Sequence, residues 1–176
     1  MPPTRPPLTL RSDRIKTPTG TMLVLVDEDG CLRSVDWEDH EERMERLLAR
    51  HYGDTLVRQP GRAPAVRTAI EAYFSGELEA LDALPVRTNG TPFQRAVWAG
   101  LRTIPAGETL SYGALAQRIG RPSAVRAVGL ANGSNPIGVV VPCHRVIGAD
   151  GTLTGYGGGM ERKRWLLQHE GAAFRD

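Results

Sequence analysis

The apolar residues change period several times along the chain, and each change marks an element. Residues 20–26 form a nearly continuous apolar, β-branched run, and Asp27-Glu28-Asp29-Gly30 is a turn signal. Residues 31–37 then alternate, which puts Cys31, Val35 and Trp37 on one face of a second strand, so a β-hairpin is expected over 20–37, with Cys31 a small, half-buried strand residue. Met44, Leu47 and Leu48 recur at helical spacing, predicting a helix from Asp39 to Arg50 with Asp39 and Glu42 as a capping box. Val66, Ile70 and Tyr73 form the stripe of a second helix, which Pro64 opens and Gly76 stops. The chain begins with a Pro-rich segment, and residues 1–10 are expected to be a flexible tail.

The pattern changes character after a linker near Leu84 to Gly90. Thr91-Pro92 opens a helix to about Thr103, with Phe93, Val97, Trp98 and Leu101 as its apolar face. Ser111 is placed to cap a short helix from Tyr112 to Ile119, and Gly120-Arg121-Pro122 turns the chain. Ser123 is placed to cap a third helix, ending near Asn132. Two short helices around a tight Gly-containing turn make a helix-turn-helix candidate. The third helix carries the small residues Ala124, Ala127, Gly129 and Ala131 around one long cation, Arg126, which suits close approach to another helix or to a nucleic-acid groove.

Charge sharpens the division into 1–87 and 88–176. The N-terminal part holds 12 Lys and Arg against 15 Asp and Glu, net −3; the C-terminal part holds 10 against 5, net +5. A basic half favours a polyanionic partner on the C-terminal side. No stretch approaches the roughly 20 apolar residues of a membrane helix, and two lone thiols, Cys31 and Cys143, fit a reducing compartment, so the cytoplasm is expected. The acidic half carries no evident chemical cluster and reads as a scaffold.

Chemistry concentrates in residues 135–148. The apolar run Ile137 to Val141 stops at Pro142, and Cys143 and His144 follow at once in a chain with 4 histidines. A thiol is strongly nucleophilic only as its anion, which a nearby base or cation favours. On a strand the two side chains would point to opposite faces, so His144 needs a bend or a bridging water to serve Cys143. A metal site is disfavoured, because no second Cys/His cluster completes the ligands; a buried inert cysteine stays open. Thr154 to Gly159 is Gly-rich around Tyr156, which suits close backbone approach to a planar ligand or a mobile loop, and it lacks the Lys-Ser/Thr of a phosphate loop. A final helix from Met160 ends in Glu170, a carboxylate against the helix dipole that needs a partner, such as His144.

Residues 91–171 resemble the C-terminal domain of the methylated-DNA–protein-cysteine methyltransferases, the O6-alkylguanine-DNA alkyltransferase family. The resemblance rests on Phe93-Gln94, Ser111-Tyr112-Gly113, Arg126-Ala127-Val128-Gly129, Asn135-Pro136, Pro142-Cys143-His144-Arg145-Val146, Gly155-Tyr156 and the Trp165-Leu166-Leu167 to His169-Glu170-Gly171 ending. Thr17 to Gly20 and Tyr73 to Gly76 match the family's N-terminal part more loosely. The resemblance implies an α/β (α+β) chain: a small antiparallel-sheet domain with helices over 1–87, then a helix-turn-helix, winged-helix-like domain over 88–176 holding the cysteine. It implies that Cys143 accepts the alkyl group, that His144 takes the thiol proton through water with Glu170 fixing the imidazole, and that Asn135 braces the turn. Tyr112 would share a proton at the base's N3, and Arg126 would fill the space of an extruded nucleotide. Gln94, Gly113, Ser123 and Ala127 would join Tyr112 and Arg126 against DNA, while Val146, Tyr156, Gly157, Gly158 and Met160 would line the base pocket. The implied partner is duplex DNA carrying O6-alkylguanine, with O4-alkylthymine as a further substrate; the chain would be a single-use enzyme, monomeric in solution, without cofactor or membrane. Two departures stand out. Val125 replaces an Ala of some relatives, and the chain lacks the Cys/His set with which some relatives hold an N-terminal zinc, so no metal is expected.

Two other classes compete. A cysteine hydrolase or acyltransferase would need an oxyanion hole and a directly paired base. A non-enzymatic DNA-binding regulator would bind without covalent transfer.

Overall fold

A computed structural model describes residues 6–176. The part of the expected tail before Pro6 lies outside the described residues, and the tail ends earlier than expected: strand β1 spans Leu8–Thr17 and buries Leu10. Strand β2 (Gly20–Val26) follows a two-residue turn, and β3 (Leu32–Trp37) completes the expected hairpin. Cys31 lies just before β3 and is buried, its N–H donating to the Asp27 carboxylate at 2.9 Å. Helix α1 (Glu41–Tyr52) starts two residues later than expected, behind a 3-10 turn over Glu38–His40; no side chain caps it, so the Asp39/Glu42 box does not form. Strand β4 (Leu56–Pro60) then pairs parallel to β1, giving the sheet order β3-β2-β1-β4. The sheet is therefore mixed rather than wholly antiparallel.

Both faces of this sheet are covered, which explains why β2 is an apolar run instead of an alternation. Leu23 and Leu25 face α1 residues Met44 and Leu48 in one small core. Met22, Val24 and Val26 face the main core, built with Val66, Ile70 and Tyr73 of helix α2 (Pro64–Phe74). That same core continues into the second half through Val97, Trp98, Leu101, Leu115, Val128, Ile137 and Leu166.

In the second half, α3 (Pro92–Leu101) opens with a capping box in which Thr91 accepts from the Gln94 N–H at 3.1 Å and Gln94 accepts from the Thr91 N–H at 3.0 Å. The pair β5 (Leu110–Ser111) and β6 (Val146–Ile147) is parallel. Helix α4 (Tyr112–Arg118) is capped as expected, Ser111 Oγ accepting from the Ala114 N–H at 3.1 Å. Gly120, at φ +76°, turns the chain toward α5 (Val125–Gly133). Ser123 does not cap α5, whose N-cap Ala124 has no side-chain acceptor. Helix α6 (Met160–His169) ends the fold at Glu170.

Two links position the site. The free edge of β3 takes a segment of the second half, with Val35 N–H donating to Pro136 O and Gly138 N–H donating to Val35 O, each at 3.0 Å. An otherwise unpaired sheet edge is thereby covered. From α6, Arg162 donates to Thr19 O at 2.9 Å and lies 4.8 Å from the centre of the Trp37 ring, close enough for a cation–π contact.

Candidate active site

The segment from Ile137 to Val141, expected as a strand, is a sequence of tight turns. Val141 N–H donates to Ile137 O at 3.0 Å, Val140 N–H to Gly138 O at 2.8 Å, and Cys143 N–H to Val141 O at 2.8 Å. Val139 sits at φ +67°, a left-handed conformation that strains a β-branched residue by about 1–3 kcal/mol. Asn135 holds both ends: its Oδ1 accepts from the Ile137 N–H at 2.9 Å and its Nδ2 donates to Val141 O at 2.7 Å. Cys143 to Arg145 then form one 3-10 turn. That turn is the bend His144 required, since the two side chains no longer alternate as on a strand.

The turn feeds a buried polar network. Glu170 accepts from Arg145 through a two-pronged fork, Nε to Oε1 and Nη2 to Oε2, each at 2.9 Å. It also accepts from Tyr73 Oη at 2.6 Å and lies 3.0 Å from His144 Nε2. Its carboxyl is buried, which alone would raise its pKa, but His144 and Arg145 hold it well below the usual carboxylate range. A carboxylate accepts only, so Nε2 of His144 carries the proton and Nδ1 presents a lone pair. Burial lowers the pKa of His144, so the ring is neutral. Burial also pushes the Cys143 thiol up, against the pull of Asn135, Arg43 and Lys163. The resting pair is therefore thiol and imidazole rather than thiolate and imidazolium, and the sulfur becomes an anion only when a proton leaves.

Cys143 is 6% exposed and opens onto a cavity of about 70 Å³, so it is not sealed in the core. The cavity walls come from both halves: Asp36 and Trp37 of β3 and Arg43 of α1 face Asn132, Tyr156 and Gly158. Arg43 donates to Asp36 Oδ2 at 3.0 Å, Gly133 O at 2.9 Å and Asn135 O at 3.2 Å. The acidic half is thus part of the site, not scaffold alone. A side-chain carbon on Gly158 would fall 2.4 Å from the Trp37 ring, and one on Gly157 would fall 2.7 Å from Arg43 Nε. Tight seating explains these two glycines.

Buried polar atoms without a partner cost about 1–3 kcal/mol each. Among the described residues four side-chain atoms are in this state, and three of them, Asn132 Oδ1, His144 Nδ1 and Tyr156 Oη, belong to this cavity or to the residue next to Cys143. Tyr156 stays protonated, because burial raises its pKa well above the ordinary value.

The remaining expected residues separate. Tyr112 shares a 2.5 Å hydrogen bond with Thr154 Oγ1, at the start of the glycine loop. Arg126 is exposed on α5 with no side-chain hydrogen bond among the described residues, and Ser123 and Ala127 are exposed beside it. Gly113 is half-buried in the first turn of α4. Gln94 is engaged as a helix cap, a structural task. Val146 does not line the cavity: it is fully buried, and its carbonyl accepts from Lys163 Nζ at 2.7 Å. Met160 is exposed and borders a neighbouring cleft with Arg162 and Trp165. Sequence reasoning missed Arg43, Tyr73, Asn132 and Lys163. A lysine inside the otherwise inward-facing stripe of α6 was the one local signal; burial lowers its pKa to about 8.

A cysteine beside a neutral, carboxylate-anchored imidazole, mounted under a helix-turn-helix, defines a protein with a nucleophilic thiol on a DNA-binding type of fold. The family model described as 6-O-methylguanine DNA methyltransferase, DNA binding domain, matches residues 92–172, and that described as its ribonuclease-like domain matches residues 10–88. The methylated-DNA–protein-cysteine methyltransferase of Shigella flexneri is 53% identical over 166 residues, covering 93% of this chain and 97% of the relative. That of Haemophilus influenzae is 46% identical over 161 residues, covering 91% and 86%. The crystal structure of Mycobacterium tuberculosis OGT in complex with DNA is similar with a TM-score of 0.76 and 42% identity, covering 93% of this chain and 92% of that one. The chain belongs to the methylated-DNA–protein-cysteine methyltransferase family, DNA-repair enzymes that move a methyl group from alkylated DNA onto a protein cysteine. None of the helices among the described residues is long and apolar enough to cross a membrane.

Proposed function

We propose that this chain repairs duplex DNA by taking the alkyl group from O6 of a guanine onto Cys143, once per molecule, as a cytoplasmic monomer. The observation that carries the proposal is the neutral His144, bound through Nε2 to Glu170 and bare at Nδ1, in the same turn as a thiol that opens onto a cavity. The thiol proton passes through water to Nδ1. The sulfur lone pair forms the S–C bond as the C–O6 pair withdraws into the guanine. Tyr112, exchanging Thr154 for the base, shares its proton at N3 so that guanine leaves neutral. The thioether product has no carbonyl for water to attack, so the sulfur is not regenerated.

The O6-alkyl carbon is out of reach inside a duplex, so the nucleotide must leave the stack, at a cost of a few kcal/mol. Arg126, exposed and unengaged, is placed to fill the gap, and the small residue Ala127 allows α5 to lie close in the minor groove. Ser123 and the backbone at Gly113 are available for phosphates. A cavity of about 70 Å³ is below the roughly 150 Å³ that holds benzene, so the loop around Gly157 and Gly158 must yield to a purine. O4-alkylthymine is a secondary substrate of the same pocket.

The test is direct. After incubation with a duplex bearing O6-methylguanine, mass spectrometry should find one added methyl on the peptide of Cys143 and none on that of Cys31. A methyl on Cys31, or lesion loss with both thiols free, would refute the assignment.

A further inference from the structure

We propose that Tyr73 is a positioning residue that restrains the nucleophile: by donating to the carboxylate oxygen that binds His144, it keeps the imidazole a weak base and Cys143 a thiol at rest. This rests on the reading that Cys143 is the alkyl acceptor and His144 its base. Tyr73 belongs to α2, in the first half of the chain, and is fully buried. Its ring meets Phe74 and His169 edge-on, at 5.0 and 5.1 Å between centres, and its carbonyl oxygen lies 2.7 Å from His169 Nε2. A Phe would serve that packing equally well. The hydroxyl is the added element, and its one hydrogen bond among the described residues goes to Glu170 Oε2 at 2.6 Å. Glu170 does not need it for satisfaction, because the Arg145 fork and His144 already supply three donors.

The donors are unevenly shared. Oε1 meets Arg145 Nε alone, whereas Oε2 meets Arg145 Nη2 at 2.9 Å, His144 Nε2 at 3.0 Å and Tyr73 Oη at 2.6 Å, the shortest of the three. Each donor draws negative charge toward itself, so the hydroxyl weakens the hold of Oε2 on the His144 proton and stabilises an imidazolium less. Tyr73 keeps its own proton, since burial and then the adjacent Glu170 raise its pKa far above the ordinary value. The other groups around the imidazole act independently of it: Arg145 and Lys163 oppose a charged ring, and Glu170 favours one. Tyr156, 6.5 Å from His144 between ring centres, stays neutral, and Arg43 and Asp36 across the cavity are paired with each other. At rest the relevant equilibrium moves one proton from sulfur, through water, to Nδ1 of His144. Its extent follows the basicity of the imidazole, so a donor on Glu170 withholds the thiolate. A sulfur that reacts once and is not regenerated is lost to any stray electrophile it meets as an anion. The restraint protects it.

The experiment uses two replacements of opposite sign. Tyr73→Phe keeps the ring and removes the donor; difluorotyrosine at position 73 keeps the shape and donates more strongly. The probe is methyl iodide, small enough for the cavity, with iodide leaving as the S–C bond forms; mass spectrometry follows the peptides of Cys143 and Cys31. Losing part of a hydrogen bond to a charged group should raise imidazole basicity by about half a unit to one unit, so Tyr73→Phe should methylate Cys143 about three- to tenfold faster near pH 7.5. The difluoro form should be slower than the unaltered chain, and Cys31 should not respond to either change. The advantage of Tyr73→Phe should shrink toward pH 9.5, where solvent hydroxide ionises the thiol without His144. In 15N-histidine-labelled protein, the Nε2–H proton of His144 should move downfield in Tyr73→Phe as its bond to Oε2 strengthens. An unchanged or slower Cys143 in Tyr73→Phe would overturn the proposal. So would a gain that persists at pH 9.5, extends to Cys31, or appears in both replacements, since these are the marks of loosened packing. Failure of the underlying reading is distinct: the unaltered chain would gain no methyl on Cys143 from a duplex bearing O6-methylguanine.

Discussion

Replacing Glu170 by Gln tests whether the buried network holds the fold as well as the imidazole. The carboxylate receives two bonds from Arg145, one from Tyr73 and one from His144, and all four side chains are buried. Glu170→Gln keeps the shape but strands the Arg145 guanidinium as an uncompensated charge. Breaking a buried pair in this way costs about 3–5 kcal/mol. For a chain of this size each kcal/mol lowers Tm by about 2–4 °C, so a fall of roughly 6–20 °C is expected at pH 7. The loss should depend on pH. The carboxyl's pKa is lowered by folding from 4.5, so its contribution is present above that value and disappears as pH falls below it. Thermal unfolding followed by circular dichroism should therefore show the two proteins converging below about pH 4. The double variant Arg145→Met/Glu170→Gln should lose less than the sum of the single ones, because the second change removes the stranded charge. A Tm within 2 °C of the unaltered chain at pH 7, or a gap that persists unchanged at pH 3, would refute the reasoning.

Arg126→Ala should slow transfer from duplex O6-methylguanine by about tenfold, yet leave transfer from free O6-benzylguanine unchanged, since only the duplex requires extrusion; equal losses in the two assays would count against the stacking role. Gly158→Ala drives a methyl into the Trp37 ring and should cost about 1–3 kcal/mol, whereas Gly155→Ala, with nothing within 4 Å, should leave Tm in place. Differential scanning fluorimetry decides, and equal Tm values would remove the tight seating of the loop. The pH profile of transfer from free O6-benzylguanine should keep its rate down through pH 6.5, because burial lowers the pKa of His144 from that value. It should not climb steeply between pH 7 and 9, because the thiol is pushed above its ordinary value and loses its proton only within the reaction. An acid limb above pH 6.5 would mean a protonated resting imidazole.

What the sequence conceals follows from which residues act locally. The helix-turn-helix was legible because Ser111 and Gly120 act within a few residues of themselves. Cys143 and His144 stood out by order alone, yet their strand was misjudged, since Asn135 bends an apolar run that periodicity cannot tell from a strand. The signal of β1 is hidden by a phase change between Leu10 and Ile15, both buried, among charged neighbours. β4 buries little and ends in a proline, so it has no pattern to find. Arg43 looks like any solvated arginine of a charged helix, and Tyr73 like ordinary core. Their partners lie about 90 or more residues away, and only the fold brings them together.

The seam at the edge of β3 has a consequence for modularity. With Pro136 and Gly138 stitched to Val35, and Arg43 pinned to Asn135, the division of the chain into two sequence families is not a division into exchangeable parts. A chimera that imports a foreign first half would inherit the thiol but lose its opposite wall, unless Asp36, Trp37 and Arg43 travelled with the graft. Drift in the acidic half is therefore constrained by chemistry that another stretch of the chain performs.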